Sequence, residues 1–464
     1  MPTRTDRTTM LRELNADVTP WGRIEHVDSA SFGPVLRVER YRLGNGLEIL
    51  FCADHAAPVF AYHTWFRVGS RHEREGKTGL AHLFEHLMFN ETEGCPYGEF
   101  DRRLEEAGAE NNAATWLDWT HYTISAPSNQ LELVVTLEAQ RMSSLVLQQP
   151  QVASEKEVVA NERRYRVEDD VEGAASELLW ATAFDKHAYR WPTIGWMKDI
   201  EGFTIEDCRS FYRTFYAPNN ATIVVAGDVE ERDLLLRISA RYGSQPPGVL
   251  PDEDAWPEPR RSDQRRVEIT KPTPTEKILV GYPGPALGDH DHVDVSVLGE
   301  VLCGGRASRM HQVLVREREL ASDVRLFVGP FRDPGLVEIF ANARTGHTAE
   351  ELLGAIDEQI DRVLADAVRP EELERARARA ELALLAGLET VDGKASTIGF
   401  HDTLLGRPGA AFERLEAMRK LTPSDLRRAA RRYLDRAGRT MVVVRTERAF
   451  NRTADHPDEG GGTQ

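Results

Sequence analysis

Alternating apolar and polar residues near the start of the chain predict a β-hairpin followed by a third strand. The arms of the hairpin are Val38–Leu43 and Leu47–Cys52, joined by the turn Gly44-Asn45-Gly46. The third strand is predicted at residues 59–68. At Leu80 the pattern changes to a short run of mostly apolar residues, which indicates a buried helix.

The pattern predicts the same kind of element order twice. The first half gives helices at 96–107, 131–147, 152–167, 174–184 and 230–242, and strands at 110–116, 119–126 and 222–226. The second half gives strands at 266–270, 276–282, 324–329, 337–343 and 440–444, and helices at 292–302, 307–316, 348–364, 371–388 and 422–434. This repetition predicts an α+β protein of two homologous domains, each an antiparallel sheet packed with helices.

A Pro-rich, charged stretch beginning at Gln245 separates the two halves. Such a composition is typical of an interdomain linker. We therefore predict an N-terminal extension at 1–35, a first α+β domain at 36–245, a linker at 246–264, a second domain at 265–448 and a disordered tail at 449–464.

Three polar residues interrupt the apolar run that begins at Leu80. His82, Glu85 and His86 are spaced i, i+3, i+4, so they share one face of a helix. Two imidazoles one turn apart can hold one Zn²⁺, and a neighbouring carboxylate can take a proton from water. Alternatively, both histidines are hydrogen-bonded core residues and Glu85 is an ordinary helix residue. The ordered H-x-x-E-H triplet is the inverted zinc signature and favours the metal site.

A third metal ligand is available in the helix predicted at 152–167. Glu155 and Glu162 are seven residues apart, two turns along one face. Glu162 is the predicted third ligand, and Glu155 is a candidate acceptor for the other N–H of a ligand imidazole. A solvated, charged helix face is the alternative for this Glu-rich segment, and the presence of the H-x-x-E-H triplet in the chain argues against it.

Composition limits the classes of partner. The chain has 464 residues and a formal charge of −17, which argues against nucleic acid and anionic membranes as partners. The four cysteines are far apart in the sequence and read as reduced thiols. The first 31 residues lack the apolar core of a signal peptide, and no apolar run of about 18 residues occurs. These features predict a cytoplasmic protein.

These motifs, with several others, resemble the pitrilysin/insulinase family of zinc metallopeptidases. The matching segments follow the family's order and spacing: 79–89, 112–115, 118–122, 155–162, 187–195 and 215–228. The resemblance covers residues 36–447 and is closest to the short two-domain bacterial and mitochondrial-processing type. It is strong in the first half and weaker in the second.

The resemblance implies a zinc-dependent endopeptidase with one Zn²⁺ per chain. His82, His86 and Glu162 would bind the metal, and Glu85 would act as the general base. The two domains would face each other across a cavity that admits unfolded or small peptides. The segment Asn112, Ala113, Ala114 and Thr115 would pair with the substrate backbone as an added strand.

One position departs from the family pattern. Active members carry an Arg followed seven residues later by a Tyr that helps to bind substrate and the oxyanion. Arg316 matches the Arg, but Ser322 or Asp323 stands where the Tyr is expected. Loss of an oxyanion donor typically costs about 10²- to 10³-fold in rate. We therefore expect a heterodimer with a homologous subunit that supplies the Arg/Tyr pair, or else a homodimer.

Two alternatives to a peptidase follow from the same residues. The missing Tyr supports a non-catalytic binding or assembly subunit that keeps the peptidase fold. An unrelated hydrolase would require every other family match to be accidental.

In the second half, Asp289–His292 could form a surface metal cluster, but its position before a predicted helix favours a helix cap.

Overall fold

In this computed structural model, which describes residues 4–252, 258–259 and 261–447, the chain forms two compact units. The first unit contains the described residues of 1–162, 191–256 and 381–416, and the second contains those of 163–190, 257–380 and 417–464. Each unit therefore includes one segment from the other half of the sequence. The predicted domains, in contrast, run continuously along the chain.

Most helices and strands agree with the predicted pattern. In the first half the elements are α1 Arg4–Leu14, β1 Ile24–Phe32, β2 Leu36–Leu43, β3 Glu48–Ala53, β4 Val59–Phe66, α2 Leu80–Leu87, α3 Glu99–Glu106, β5 Glu110–Thr115, β6 Thr120–Pro127, α4 Leu131–Ser143, α5 Gln149–Arg163, α6 Val171–Ala183, α7 Met197–Glu201, α8 Ile205–Phe215, β7 Ala221–Gly227 and α9 Glu231–Tyr242. In the second half they are β8 Arg265–Lys271, β9 Lys277–Pro283, α10 Asp291–Cys303, β10 Ala321–Val328, β11 Leu336–Ala343, α11 Ala349–Ala365, α12 Pro370–Gly387, α13 Val391–Leu405, α14 Ala410–Lys420, α15 Pro423–Tyr433 and β12 Thr440–Thr446. The helix predicted at 307–316 includes a π-helical turn, His311–Glu317.

The first unit contains a seven-stranded sheet in the order β1-β2-β3-β7-β4-β6-β5. Neighbouring strands are antiparallel except β3 and β7, which are parallel. The predicted hairpin is confirmed as β2 and β3. Strand β5 lies at one edge of the sheet.

Both faces of this sheet are buried, because alternate residues of its central strands enter two different cores. Ile49 belongs to one core with α2, α4, α8 and α9, whereas Leu50 belongs to the other. The second core includes Ala395 and Ile398 of α13. Helix α13, from the second half of the sequence, therefore covers the face opposite the H-x-x-E-H helix.

The second unit contains a five-stranded sheet in the order β10-β11-β9-β12-β8. Its neighbours are antiparallel except the parallel pair β8 and β12. This order and sense match the strands β5-β6-β4-β7-β3 of the first unit. The predicted duplication of an α+β unit is therefore confirmed in topology, with one parallel pair in each otherwise antiparallel sheet.

Three predictions concern segments at the ends and middle of the chain. The predicted extension 1–35 contains α1 and the strand β1, which pairs with β2, so its latter part belongs to the first sheet. The predicted tail 449–464 and linker residues 253–257 and 260 lie outside the described residues.

All four cysteines are free thiols. Among the described residues, no helix is both long and apolar enough to cross a membrane.

Candidate metal centre

Two helices bring the predicted metal donors together. His82 and His86 lie on α2, and Glu162 lies one residue before the end of α5. One donor atom from each of these three residues falls within 4.8 Å of the other two. His82 is buried, and the other two side chains are partly exposed.

The spacing of these atoms matches the coordination sphere of zinc. Glu162 Oε2 lies 3.6 Å from His82 Nε2 and 3.3 Å from His86 Nε2. Ligands bound tetrahedrally at about 2.0–2.2 Å from one Zn²⁺ lie roughly 3.3–3.6 Å from one another. Two imidazoles and one carboxylate are also a donor set that catalytic zinc sites use. The residues therefore fit one zinc ion with a fourth position left for water or substrate.

A second carboxylate approaches the far side of His86. Glu155 Oε2 is 3.7 Å from His86 Nδ1, the ring nitrogen that faces away from Glu162. Asn90 Nδ2 donates to Glu155 Oε1 at 3.1 Å. A hydrogen bond from a metal-bound imidazole to a carboxylate orients the ring and raises its basicity. At 3.7 Å, Glu155 approaches this position, but the distance is longer than such a bond. Asn90 is buried and lies four residues after His86, but no sequence pattern identifies an asparagine that makes this contact.

Glu85 lies on the same helix, beside strand β5. Burial raises the pKa of the Glu85 carboxyl above its ordinary value, and hydrogen bonding to Thr115 and the positive charge of protonated His86 reduce that rise. A carboxyl group with a raised pKa is suited to accept and then return a proton near neutral pH. The predicted base therefore sits next to both the metal donors and the predicted substrate strand.

The predicted substrate segment Asn112–Thr115 forms most of β5. This strand pairs with β6 on one side only, with Asn112 opposite Thr123 and Thr115 opposite Thr120. No other described strand pairs with the remaining edge of β5. An unpaired strand edge carries backbone donors and acceptors that an extended peptide can use.

Arg316 lies in the second compact unit, where it is exposed on the π-helical turn His311–Glu317. Ser322 and Asp323 are exposed on β10. The metal donors, Glu85 and β5 belong to the first unit.

A tyrosine also fixes the helix that carries the donors. The Tyr122 hydroxyl donates to the backbone carbonyl of Phe84 at 3.0 Å, and both residues are buried. The Arg141 guanidinium lies over the Tyr122 ring, 4.3 Å from its centroid. Tyr122 falls in a segment that resembles the family, but its contact with α2 could not be read from spacing.

The cluster predicted at the start of α10 has a different character. His290, Asp291 and Asp294 also bring donor atoms within 4.8 Å of one another. However, Asp291 accepts from Arg432 at 2.6 Å, and Asp294 accepts from Arg428 at 2.7 Å. Because these guanidinium groups already neutralise the carboxylates, the cluster is better explained as paired charges at a helix start.

Comparison with known proteins identifies the class to which this fold and site belong. Residues 49–195 match the family described as Insulinase (Peptidase family M16), and residues 202–380 match the one described as Peptidase M16 inactive domain. The chain belongs to the M16 insulinase family of peptidases, which confirms the predicted family.

Two relatives carry the name of zinc proteases. The chain is 29% identical over 359 residues to zinc protease PqqE of Helicobacter pylori, an alignment that covers 76% of this chain and 80% of that protein. It is 26% identical over 413 residues to the uncharacterized zinc protease SCO5738 of Streptomyces coelicolor, covering 88% and 89% respectively.

Solved structures share the fold. A protease from Helicobacter pylori superposes with a TM-score of 0.84 at 28% identity, covering 89% of this chain and all 100% of that one. A peptidase M16 inactive domain from Pseudomonas fluorescens has a TM-score of 0.79 at 19% identity, covering 88% and 97%, which shows the fold alone. The predicted two-domain α+β fold is therefore confirmed.

Proposed function

We propose that this chain is a zinc-dependent endopeptidase that cleaves unstructured or small peptides. The observation that carries the proposal is the spacing of His82, His86 and Glu162, whose donor atoms fit one Zn²⁺. The zinc protease names of its relatives support the same metal and reaction.

His82, His86 and Glu162 would hold the metal, and Glu155 would orient the His86 ring. When bound, zinc supplies a Lewis acid that polarises the scissile carbonyl and lowers the pKa of water. Glu85 removes a proton from the attacking water and later gives it to the leaving amine. The carboxyl pKa raised by burial favours both transfers.

The free edge of β5 supports an extended substrate. A peptide added to this edge would gain main-chain hydrogen bonds that do not depend on its sequence. Its scissile bond could then lie next to Glu85, which contacts Thr115 at the end of the strand. Specificity would come from side-chain pockets and from the requirement for an unfolded backbone.

The test is zinc content together with peptide cleavage, for the wild type and Glu85→Gln. We expect about one zinc per chain in both proteins, with cleavage lowered at least about 10²-fold in the variant. Glu300→Gln is the matched control, because Glu300 lies on α10 in the second unit and pairs with Arg379. Cleavage that persists in Glu85→Gln, or a wild type that binds no zinc, would contradict the proposal.

The second candidate is a non-catalytic assembly subunit, favoured by Ser322 and Asp323 where active relatives carry a Tyr. The same observation supports a partner subunit that supplies the Arg/Tyr pair to a peptidase. We expect the chain alone to cleave about 10²- to 10³-fold more slowly than a complete site. Asp323→Tyr, at the exposed position seven residues after Arg316, tests this by raising the rate; full activity of the wild-type chain alone would contradict the partner.

A further inference from the structure

The start of α2 is held by two carboxylates that lie outside the zinc motif. Glu73 and Asp199 are both buried, with 5% and 8% of their surface exposed. Glu73 accepts the backbone N–H of Gly79 at 2.7 Å on one oxygen and that of Ala81 at 2.8 Å on the other. Asp199 accepts the backbone N–H of Thr78 at 3.1 Å and its hydroxyl at 2.7 Å. We call these two residues the carboxylate pair.

Helix α2 cannot satisfy its own N-terminal N–H groups. The first N–H groups of any helix lack intrahelical acceptors, and a side chain at the N-cap usually supplies one. Here the N-cap is Gly79, which has no side chain, and the first turn contains no acidic residue. Glu73 therefore replaces a local cap, because its two carboxyl oxygens accept the N–H groups of Gly79 and Ala81.

The loop that precedes α7 reaches the same point of the helix. Gly79 has a φ of +97°, and a Cβ atom there would lie 2.5 Å from the Ile194 carbonyl oxygen. The hydroxyl of Thr78 accepts the backbone N–H of Trp196 at 3.0 Å. The segment 78–81 is thus fixed on one side by Glu73 and on the other by the loop and Asp199.

This attachment lies next to a metal donor. His82 is the third residue of α2 and directly follows Ala81, whose N–H binds Glu73. Glu85 and His86 lie one turn further along the same short helix. A shift of the first turn would therefore move His82 relative to His86, and the spacing to Glu162 that fits zinc would be lost.

We propose that Glu73 and Asp199 are positioning residues that hold the first turn of α2 in the geometry required by the metal donors. The inference rests on the proposed zinc site, but the attachment is a property of the chain and acts in the metal-free protein as well. It adds to the motif a pair of acidic residues that contact neither metal nor substrate.

The main test compares Glu73→Gln with the wild type by amide hydrogen exchange without metal and by zinc affinity in chelator competition. An amide keeps one acceptor but turns N–H donors toward the N–H groups of the helix. We expect exchange at residues 79–83 to accelerate at least about tenfold. The zinc Kd should rise roughly 10- to 100-fold, as for other residues that orient metal ligands.

Asp402→Asn is the matched control. Asp402 is buried in the same compact unit, with 2% exposed, but it binds Arg40 and lies on α13, which covers the opposite face of the sheet. This variant should lower the Tm without changing exchange at 79–83 or the zinc Kd. Equal changes in both variants would indicate general destabilisation and overturn the proposal.

Thr78→Val keeps the test possible if Glu73→Gln does not fold. It removes both bonds of the hydroxyl, the one to Asp199 and the one from the Trp196 N–H, and keeps the backbone bond to Asp199. It should give a smaller change in the same direction. Unchanged exchange and Kd in the variants that fold would overturn the role of the carboxylate pair. A wild type that binds no zinc, with faster exchange in the variants, would instead leave the attachment intact and refute the proposed function.

Discussion

Helices α2 and α10 follow equivalent strands in the two sheets but carry different chemistry. Each comes after a central strand, β4 or β9, that is antiparallel to both of its neighbours. Within α2, the buried apolar surface is interrupted by His82, Glu85 and His86. Within α10, the corresponding surface is filled mainly by valine and leucine, and its polar cluster lies at the helix start.

The difference extends to how the two helices begin. Helix α10 begins with Asp291 and Asp294 in its own first turn, so it supplies its own negative charge. Helix α2 has none there and depends on Glu73 from the preceding loop. The helix that carries the predicted donors is thus capped from outside, whereas α10 has acidic residues of its own in its first turn.

The prediction with the largest expected effect concerns which of the two helices binds metal. His86→Ala removes a donor from the site and should lower the zinc content from about one per chain to near zero, with loss of cleavage. His290→Ala, in the cluster of the second unit, should change neither. The measurement is zinc content after gel filtration. Zinc retained by His86→Ala but lost from His290→Ala would place the metal in the second unit.

The next prediction compares the stability cost of replacing one glycine at each helix: Gly79, the N-cap of α2, and Gly299, within α10. Gly79→Ala should destabilise the chain by about 3 kcal/mol or more, because φ is +97° and the new Cβ would lie 2.5 Å from a backbone oxygen. Gly299→Ala should cost no more than about 1 kcal/mol, because its nearest neighbour at 2.7 Å is the flexible end of Leu326. Denaturant unfolding measures both, and equal losses would contradict the comparison.

The smallest expected effect concerns one carboxyl in each unit: Glu138, which is buried, and Glu338, which is half-buried. In the first unit Glu138 contacts Arg141, whose charge opposes the rise in pKa that burial causes. In the second unit burial raises the pKa of Glu338 to about 7, while the hydrogen bond from the Trp180 indole at 3.2 Å lowers it. No positive charge among the described residues therefore offsets the rise in the pKa of the Glu338 carboxyl.

Because its folded pKa exceeds its unfolded value, Glu338 binds a proton more tightly in the native state. Its contribution to stability is present below about pH 4.5 and is lost as pH rises through about 7, by about 2–3 kcal/mol. Glu338→Gln should remove this dependence and stabilise the chain at pH 8 relative to wild type. Thermal unfolding between pH 5 and 8 measures it, and parallel curves for the two proteins would refute it.

The sequence by itself determined the elements whose patterns are local. The H-x-x-E-H triplet lies on one helix face because spacing alone sets which side chains coincide. The hairpin of β2 and β3 follows from alternation and a glycine turn. Glu162 is predicted because the triplet needs a third ligand, but its distance from the triplet cannot be predicted, since no local rule brings α5 to α2.

Only the tertiary structure decided contacts between distant segments. The assignment of α6 to the second unit and α13 to the first depends on which sheet face each helix buries, and helical periodicity does not record that choice. The cap supplied by Glu73 and the contact of Asp199 with Thr78 cannot be read from the sequence either, because the partners are 6 to 121 residues apart along the chain. Local patterns determine which side chains lie on one face of a helix or strand, and packing determines which residues those side chains contact.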